Sequence, residues 1–477
     1  MDTLLSYVLL LGTLAFFGYV GYTAAADRKM DSDAYLSARG SQSWQRIGLS
    51  LFASGMGIWI LFGPSEVGYY GGFWDVVGYA LSSATPFMLL AYVGPLIREK
   101  LPHGVTLADY VSMRLGRPMQ IYVGLISVLY MFTFLFAEFT AIGKAMSILA
   151  GMEPLVPMVA VAAVTAAYTA YGGLPASLQT DRWQAWMILW LVIALLLILF
   201  GGDIGSLISD AKAYTQEDIE WEWYHGSMSD MSTFKSGLAL VVAITAAEMF
   251  SQGNWQRTWA SESDEALRKG AFLAAGLVLP LVFVMGVLGT VVAGQGAVED
   301  PSAAFFYLIE DAGALLIAAF VVLAVALVCS SADTLQNAVV ASISRDLSNG
   351  SMQLGQARIA TIAMMPIAIY LANTIDALSV FEIFLFADLL AAATVAPVLL
   401  TLWDRVSSRG ALIGAVAGLL SVVAYGAWTA DVSTGVDYIF HPTNEWGLAN
   451  LDVFMSALVG SAVVTVAGSY AMPDEVA

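Results

Sequence analysis

The chain has 477 residues, of which 59% are hydrophobic and 12% are charged, and its formal net charge is −19. Because soluble domains carry about 25% charged residues, this composition excludes a soluble globular protein and predicts an all-α integral membrane protein. The large excess of acid also excludes a basic nucleic-acid-binding surface, so we expect no nucleic acid among the partners.

Apolar segments of about 20 residues, the length that spans a bilayer as a helix, follow one another along the whole chain. We predict about 13 transmembrane helices, at residues 4–24, 48–69, 75–97, 118–149, 155–171, 182–201, 236–255, 271–294, 311–344, 358–374, 379–403, 410–430 and 450–471. The first segment is interpreted as a retained helix and not as a signal peptide, because its 21-residue apolar segment exceeds the apolar region of a signal peptide.

The basic residues predict the orientation of these helices. If the N-terminus lies outside, 16 of the 19 Lys and Arg residues fall on the inner side, Lys144 lies in a span, and only Lys212 and Lys235 lie outside. The positive-inside rule therefore predicts a multi-pass protein of the cell (plasma) membrane, with an extracellular N-terminus and a cytoplasmic C-terminus.

Acidic residues are concentrated in the predicted outer loops 202–235, 295–311 and 431–449. This pattern is typical of a salt-adapted surface, and we expect the source to be a prokaryote of a salty habitat. The alternative interpretation is a vestibule that gathers cations in front of a binding site.

Two predicted spans are interrupted by residues that break helices. The second reads SLFASGMGIWILFGPSEVG over residues 50–68, with a break expected near 55–57, and the seventh reads ITAAEMFSQGNWQRT over residues 244–258, with a break expected near 251–254. Irregular backbone at membrane depth must be buried in protein or line a cavity. Both breaks are therefore expected to face a shared cavity.

Each interrupted span begins a group of five, and because five crossings end on the opposite side, the second group is inverted relative to the first. Broken helices at matching positions of inverted repeats indicate a binding site near the bilayer midplane. The chain is therefore predicted to form one membrane transport domain over residues 1–477. Its parts are an extra first helix and cytoplasmic loop (1–47), repeat one (48–201), repeat two (236–404), and two extra helices with a short tail (409–477).

No pattern for nucleotide binding or covalent chemistry accompanies these helices. The sequence lacks a Gly-x-x-x-x-Gly-Lys-Ser/Thr phosphate-binding loop, its three histidines are scattered in loops, and its one cysteine, Cys329, lies in a span. We therefore expect neither an enzyme nor a pump that is driven by its own hydrolysis of ATP.

The segment VALVCSSADTLQNAVVASISRDL, residues 325–347, places polar groups at mid-helix. A lone hydroxyl would be explained by a bond back to a carbonyl one turn earlier. The adjacent Ser330 and Ser331, together with carbonyls freed by the broken second span, instead offer the neutral oxygen ligands that suit a sodium ion. Asp333 is a functional candidate because it is ionisable within a span; the alternative is a carboxylate that faces water at the inner mouth.

Four segments resemble the sodium:solute symporter family, and the resemblance covers essentially the whole chain. They are DAYLSARG at 33–40, YTAYGGLPASLQTDRWQ at 168–184, NWQRTWASESDEALRKGA at 254–271 and CSSADTLQNAVVASISRDL at 329–347. The resemblance implies the leucine-transporter fold, with a 5+5 inverted-repeat core, and sodium as the coupling ion.

By position, the resemblance also implies a sodium site. The ligands would be the carbonyls of Ala53, Met56 and Leu327 and the hydroxyls of Ser330 and Ser331. Asp181 matches a family aspartate near the cytoplasmic exit path of sodium. The alternative for Asp181 is a carboxylate at a helix N-terminus, where the helix macrodipole favours it.

The first broken span also bears on the solute. The polar residues that sugar transporters of the family carry there are absent from Ile58-Trp59-Ile60-Leu61-Phe62, which argues against a sugar. The candidate lining residues are Trp59, Ile60, Phe62, Ser65, Tyr79, Ser82, Glu138, Glu248, Ser251 and Gln252. Helix packing or lipid contact is the alternative for Trp59 and Phe62. Glu248 is favoured as a substrate or gate residue, and a carboxylate there suits urea, an amino acid or an amine.

We therefore predict a sodium-coupled symporter that imports a small polar organic solute across the lipid bilayer by alternating access. Within transport, the alternative is coupling to protons through Asp333, Glu248 or Asp181. Outside it, the alternatives are a transporter-like solute sensor and a passive channel, and a channel would not accumulate solute above equilibrium.

Overall fold

The computed structural model describes residues 3–26, 30–200, 227–296, 298–310, 313–374 and 379–474. Its α-helices are α1 (Thr3–Ala26), α2 (Ser32–Ser37), α3 (Trp44–Gly55), α4 (Gly63–Tyr70), α5 (Phe73–Lys100), α6 (Leu107–Ala150), α7 (Leu155–Phe200), α8 (Met231–Glu248), α9 (Gln252–Ala260), α10 (Asp264–Gln295), α11 (Ala304–Tyr307), α12 (Ala314–Ser342), α13 (Leu354–Thr374), α14 (Val380–Leu399), α15 (Ser408–Thr429), α16 (Val432–Phe440) and α17 (Leu451–Ala471). Arg28, Lys29 and residues 202–226 of the acidic loop lie outside the described residues.

The number of spans is close to the predicted 13. Eleven described helices are long and apolar enough to cross a bilayer, and the bent pair α3 and α4 makes twelve. The 46-residue α7 contains a non-helical residue, Gly173, with φ 56° and ψ −148°. A straight helix of that length would extend about 69 Å, roughly twice the thickness of the hydrocarbon core. The two arms of α7 therefore correspond to the fifth and sixth predicted spans.

The first broken span is interrupted where its glycines predicted. α3 ends at Gly55, the next two residues are not helical, and a 3-10 turn at Ile58–Leu61 leads into α4, so the two halves are bent by 56°. Pro64 lies in the first turn of α4. Proline is tolerated there because the first N–H groups of a helix have no partner within the helix.

The second broken span is interrupted slightly earlier than predicted. α8 ends at Glu248 and α9 begins at Gln252, so the break comprises residues 249–251, and Asn254 is helical. Ser251 precedes α9 in an extended conformation, at the N-cap position where serine is favoured. The Trp255 indole N–H donates to the Met249 carbonyl at 2.7 Å, which satisfies one group that the break sets free.

The remaining helices pack around the two broken spans. α5 packs against α8 and α10, and α12 packs against α6, α7 and α3. α1 lies on α7 and α12, while α15 and α17 pack on each other and on α14. The other ten spans form two groups of five in chain order, each led by a broken span, which is the order expected for a 5+5 inverted repeat.

Glycines bring α10 close to the second half of the first broken span. A Cβ atom on Gly289 would lie 1.9 Å from the Ser65 carbonyl oxygen, and one on Gly68 would lie 1.9 Å from the Gly286 carbonyl oxygen. No side chain fits between the two backbones, which is the usual reason for small residues where membrane helices cross. On the same helix, a Cβ atom on Gly276 would meet nothing within 4 Å.

Gly289→Ala is therefore expected to destabilise the protein, because over-packing costs about 1–3 kcal/mol. The matched control, Gly276→Ala, should be neutral or stabilising by about 0.5–1 kcal/mol, because alanine is favoured over glycine inside a helix. Thermal unfolding of the purified variants measures both effects. Equal unfolding temperatures would contradict the close approach of α4 and α10.

Candidate functional site

A cavity of about 80 Å³ lies between the two broken spans, with further walls from α5, α6, α12 and α14. Its polar side chains are those of Ser54, Ser83, Tyr130, Glu138, Glu248, Ser251, Asn254, Ser331, Thr334 and Asp388. Its other aromatic side chains are those of Trp59, Tyr79, Phe87, Phe134, Phe381 and Phe384. No Lys or Arg is among the described residues that line it, so three carboxylates face the cavity without a basic residue in its wall.

Five of the ten predicted solute residues line this central cavity. They are Trp59, Tyr79, Glu138, Glu248 and Ser251. The other five lie outside the cavity wall and are partnered or packed elsewhere: Ile60, Phe62, Ser65, Ser82 and Gln252.

Each of these five residues has its contacts away from the cavity. The Ser65 and Ser82 hydroxyls each donate to a carbonyl three residues earlier on their own segment. The Gln252 side chain accepts from the Leu107 N–H at 2.9 Å, and the Phe62 ring packs against the Phe306 ring at 5.0 Å between centroids. Ile60 is buried in the hydrophobic core. The contacts of Phe62 therefore agree with the alternative interpretation of this residue, which was packing between helices.

Glu138 meets the first break from α6. Its carboxylate accepts the N–H groups of Ile58 at 2.9 Å and Trp59 at 3.4 Å, which the break leaves without helical partners, and it also accepts the Ser331 hydroxyl at 2.5 Å. A Cβ atom on Gly57 would lie 2.1 Å from the carboxylate oxygen Oε1. The glycine at this position is thus required for the carboxylate to approach the backbone.

The residues expected to bind sodium lie where α12 packs against α3 and the 3-10 turn. The Ser330 hydroxyl donates to Asp181 Oδ1 at 2.9 Å, and the Ser331 hydroxyl donates to Glu138 and also lies 3.2 Å from the Leu327 carbonyl. A hydroxyl that donates its proton keeps its lone pairs available for a cation. The buried hydroxyls and the neighbouring carboxylates are oxygen groups of the kind that sodium binds, and their grouping with the carbonyls of Ala53, Met56 and Leu327 as a sodium site stays a prediction.

Asp181 forms a fully buried ion pair with Arg257. The Arg257 guanidinium lies 2.8 Å from Asp181 Oδ2, and it also donates to Ser50 Oγ at 2.9 Å, to the Gly253 carbonyl at 3.0 Å and to Thr334 Oγ1 at 2.8 Å. Arg257, one of the cations that the positive-inside count places on the inner side, is 0% exposed within α9. The ion pair offsets the cost of burying either charge alone.

Asp333 is also fully buried, so the interpretation of this residue as a water-facing carboxylate at the inner mouth is wrong. Its oxygens accept hydroxyl groups from Tyr168 at 2.6 Å, from Ser177 at 2.6 Å and from Thr180 at 2.9 Å, all on α7. Three donors converge on one carboxylate and join α12 to both arms of α7.

The sodium:solute symporter family matches residues 35–418. The chain belongs to the sodium:solute symporter family. It is 28% identical to the spermidine transporter DUR31 of Candida albicans over 98% of its own length and 88% of the relative's. It is 23% identical to the sodium/glucose cotransporter of Vibrio parahaemolyticus over 59% of its own length and 53% of the relative's.

The fold agrees with that assignment. A solved Na⁺-coupled sialic acid symporter, in a substrate-bound outward-open state, matches this sodium:solute symporter with a TM-score of 0.82 at 15% identity, and 99% of each chain is covered. The expected leucine-transporter fold is thereby confirmed. The protein is a sodium-coupled membrane symporter with sodium as its coupling ion, and it is not an enzyme.

Several residues of the symporter's cavity were not predicted from the sequence, and the polar ones among them matter most. Asp388, on α14, is 1% exposed, and its Oδ1 accepts no hydrogen bond from the described residues. As a carboxylate within a span it met the criterion that drew attention to Asp333. Tyr130 and Asn254 donate to the two oxygens of Glu248 at 2.9 and 2.8 Å, and no local pattern signalled these partners.

The buried ion pair yields a test by mutation. Arg257→Gln leaves the Asp181 carboxylate without its partner, and breaking a buried ion pair in this way costs about 3–5 kcal/mol. Adding Asp181→Asn removes both charges and should recover a large part of that loss. The free energy of unfolding, measured in detergent for the two single variants and the double variant, gives the interaction energy. Strict additivity would show that the two residues do not interact.

Proposed function

We propose that this symporter imports a small solute that carries N–H donors, and that a solute with an ammonium group is favoured. The observation that carries the proposal is Asp388, a buried carboxylate in the cavity wall with one oxygen that accepts no hydrogen bond from the described residues. A buried carboxylate without donors is costly. A protonated amine would supply both the missing donors and the opposite charge.

The other walls suit the same solute. Trp59, Tyr79 and Phe381 form a chain of ring contacts, at 5.8 and 6.0 Å between centroids, along the cavity. Aromatic faces attract ammonium groups, most strongly where water is excluded. Glu248 adds a second carboxylate, which the Tyr130 hydroxyl and the Asn254 amide hold in place.

The relative named as a spermidine transporter carries a solute of this kind and thus supports a cationic amine. Urea and amino acids also present N–H donors and remain within the proposal as less favoured solutes. A sugar is less favoured, because it carries no positive charge to pair with the carboxylates of the cavity wall. Uptake of radiolabelled spermidine, urea, an amino acid and glucose into proteoliposomes ranks the four classes directly.

Sodium entry at the proposed site would drive the import. We propose that Ala53, Met56, Leu327, Ser330 and Ser331 bind the ion, that Asp181 lies on its exit path, and that the N-terminus is extracellular. One charge that crosses 100 mV contributes about 2.3 kcal/mol, and a tenfold sodium gradient adds about 1.4 kcal/mol. One sodium ion could therefore concentrate a neutral solute by roughly 500-fold. Uptake that persists without sodium at fixed pH would contradict this coupling.

Ser331→Ala tests the sodium site. Loss of a ligand to a charged group costs about 1.5–3 kcal/mol, so the sodium concentration for half-maximal uptake should rise by roughly 10- to 150-fold. Saturating sodium should restore solute binding, because coupling between two ligands is reciprocal. Ser461→Ala, which removes a buried hydroxyl that bonds back to Leu458 in α17, is the control. An unchanged sodium dependence in both Ser330→Ala and Ser331→Ala would place the ion elsewhere.

Asp388→Asn tests the solute site. The neutral amide keeps the shape of the carboxylate, so affinity for spermidine should fall by roughly 10- to 150-fold while sodium binding changes little. Glu248→Gln should act in the same direction. Glu153→Gln, which neutralises an exposed loop carboxylate, is the control for net charge. Binding isotherms measured at saturating sodium decide the matter, and wild-type affinity in both cavity variants would remove these carboxylates from the solute site.

A further inference from the structure

A second cavity, of about 480 Å³, adjoins the central one on the other side of Phe381. The Phe381 side chain lines both cavities. The walls of the second cavity come from α4, the start of α14, the end of α6, the segment that holds Asp300, and the segment that holds Trp446. In the predicted orientation these parts face the outside, so we call this cavity the vestibule.

The vestibule holds more acidic than basic side chains. Glu66, Asp300 and Glu382 line it, against one basic residue, Lys144. Lys144 forms an ion pair with Asp300, in which the ammonium lies 2.6 Å from the carboxylate. The same ammonium contacts the Ser302 hydroxyl at 2.5 Å. The one basic residue of the described lining is thus paired with Asp300, and the carboxylates of Glu66 and Glu382 have no basic partner in that lining.

Asp300 is ionised in this arrangement. Partial burial acts to raise its pKa, but the hydrogen bonds from Lys144 and Ser302 outweigh that effect and hold the pKa below its ordinary value. One oxygen of Glu382 accepts the backbone N–H of Ser379 at 2.8 Å, in a capping box at the start of α14. Neither Asp300 nor Glu382 therefore offers a hydrogen-bond donor to Glu66.

Glu66 is the feature that points to a ligand. It is 8% exposed, and its Oε2 has no hydrogen-bond partner among the described residues, although it lines an open cavity. A buried carboxylate oxygen without a donor is rare in proteins and calls for an explanation. A bound group with N–H donors and a positive charge supplies one.

We propose that the vestibule is a second binding site, anchored by Glu66 and specific for an organic ammonium group. The site is roomy, and Tyr70, Phe381 and Trp446 place aromatic rings in its wall, which suits an organic cation better than a bare metal ion. The proposal rests on the proposed function for the chemistry of its ligand. The amine would pause here on its way to the central cavity, and Phe381 must move for it to pass.

Equilibrium binding of radiolabelled spermidine to the full chain in nanodiscs, at saturating sodium, tests the proposal. We expect two sites per chain in the wild type, one in Glu66→Gln, one in Asp388→Asn and none in the combined variant. Glu445→Gln is the matched control, because it neutralises an exposed carboxylate beside Trp446 that does not line the vestibule. It should retain both sites.

The pattern of losses separates this proposal from the preceding one. One wild-type site that survives Glu66→Gln and disappears in Asp388→Asn overturns the vestibular site and leaves the proposed function standing. One site with the opposite pattern supports the vestibule and overturns the central anchor, and no binding overturns both. If Glu66→Gln does not fold, the half-exposed Asp300→Asn decides. It frees Lys144 and should weaken vestibular binding at least tenfold, and an unchanged affinity overturns the proposal.

Discussion

In the bilayer, no water is present to accept hydrogen bonds from the backbone groups that a broken helix leaves unpaired. The architecture of this symporter follows from the protein groups that take the place of that water. The backbone N–H groups of Ile58 and Trp59 lose their helical partners at the first break, and the Glu138 carboxylate accepts both. Since lipid could not do so, the break is stable only where α6 delivers this side chain and where Gly57 leaves room for it.

The same requirement connects the broken spans to the helix that is proposed to bind sodium. Ser331 on α12 donates to Glu138, while its neighbour Ser330 donates to Asp181, which pairs with Arg257 beyond the second break. Two sets of hydrogen bonds, joined through the adjacent residues Ser330 and Ser331 of α12, therefore connect one broken span to the other. An ion that binds among these groups would bias both broken spans at once, which is the physical requirement for coupling ion and solute.

The carboxylates along the proposed solute path differ from those beside α12 in their hydrogen-bond partners. Beside α12, Asp181 and Asp333 accept hydrogen bonds from hydroxyls and from Arg257. Asp388 in the central cavity and Glu66 in the vestibule instead each keep one oxygen without a donor among the described residues. Phe381 separates the two cavities. The acidic excess that the sequence suggested as salt adaptation thus has a local counterpart that can attract a cation towards the binding site.

Much of this protein could be read from its sequence, because lipid imposes simple local rules. Apolar length predicted the spans, and glycine with proline inside a span predicted the first break and its cavity. The second break, near Ser251, was predicted within a few residues. The partners of the polar groups could not be read in this way. Ser331 and Glu138 are 193 residues apart, and no periodicity records which carboxylate a hydroxyl will meet. Only the packing of α6, α7, α9 and α12 against one another decided that Arg257 is buried and that Asp388 faces the cavity.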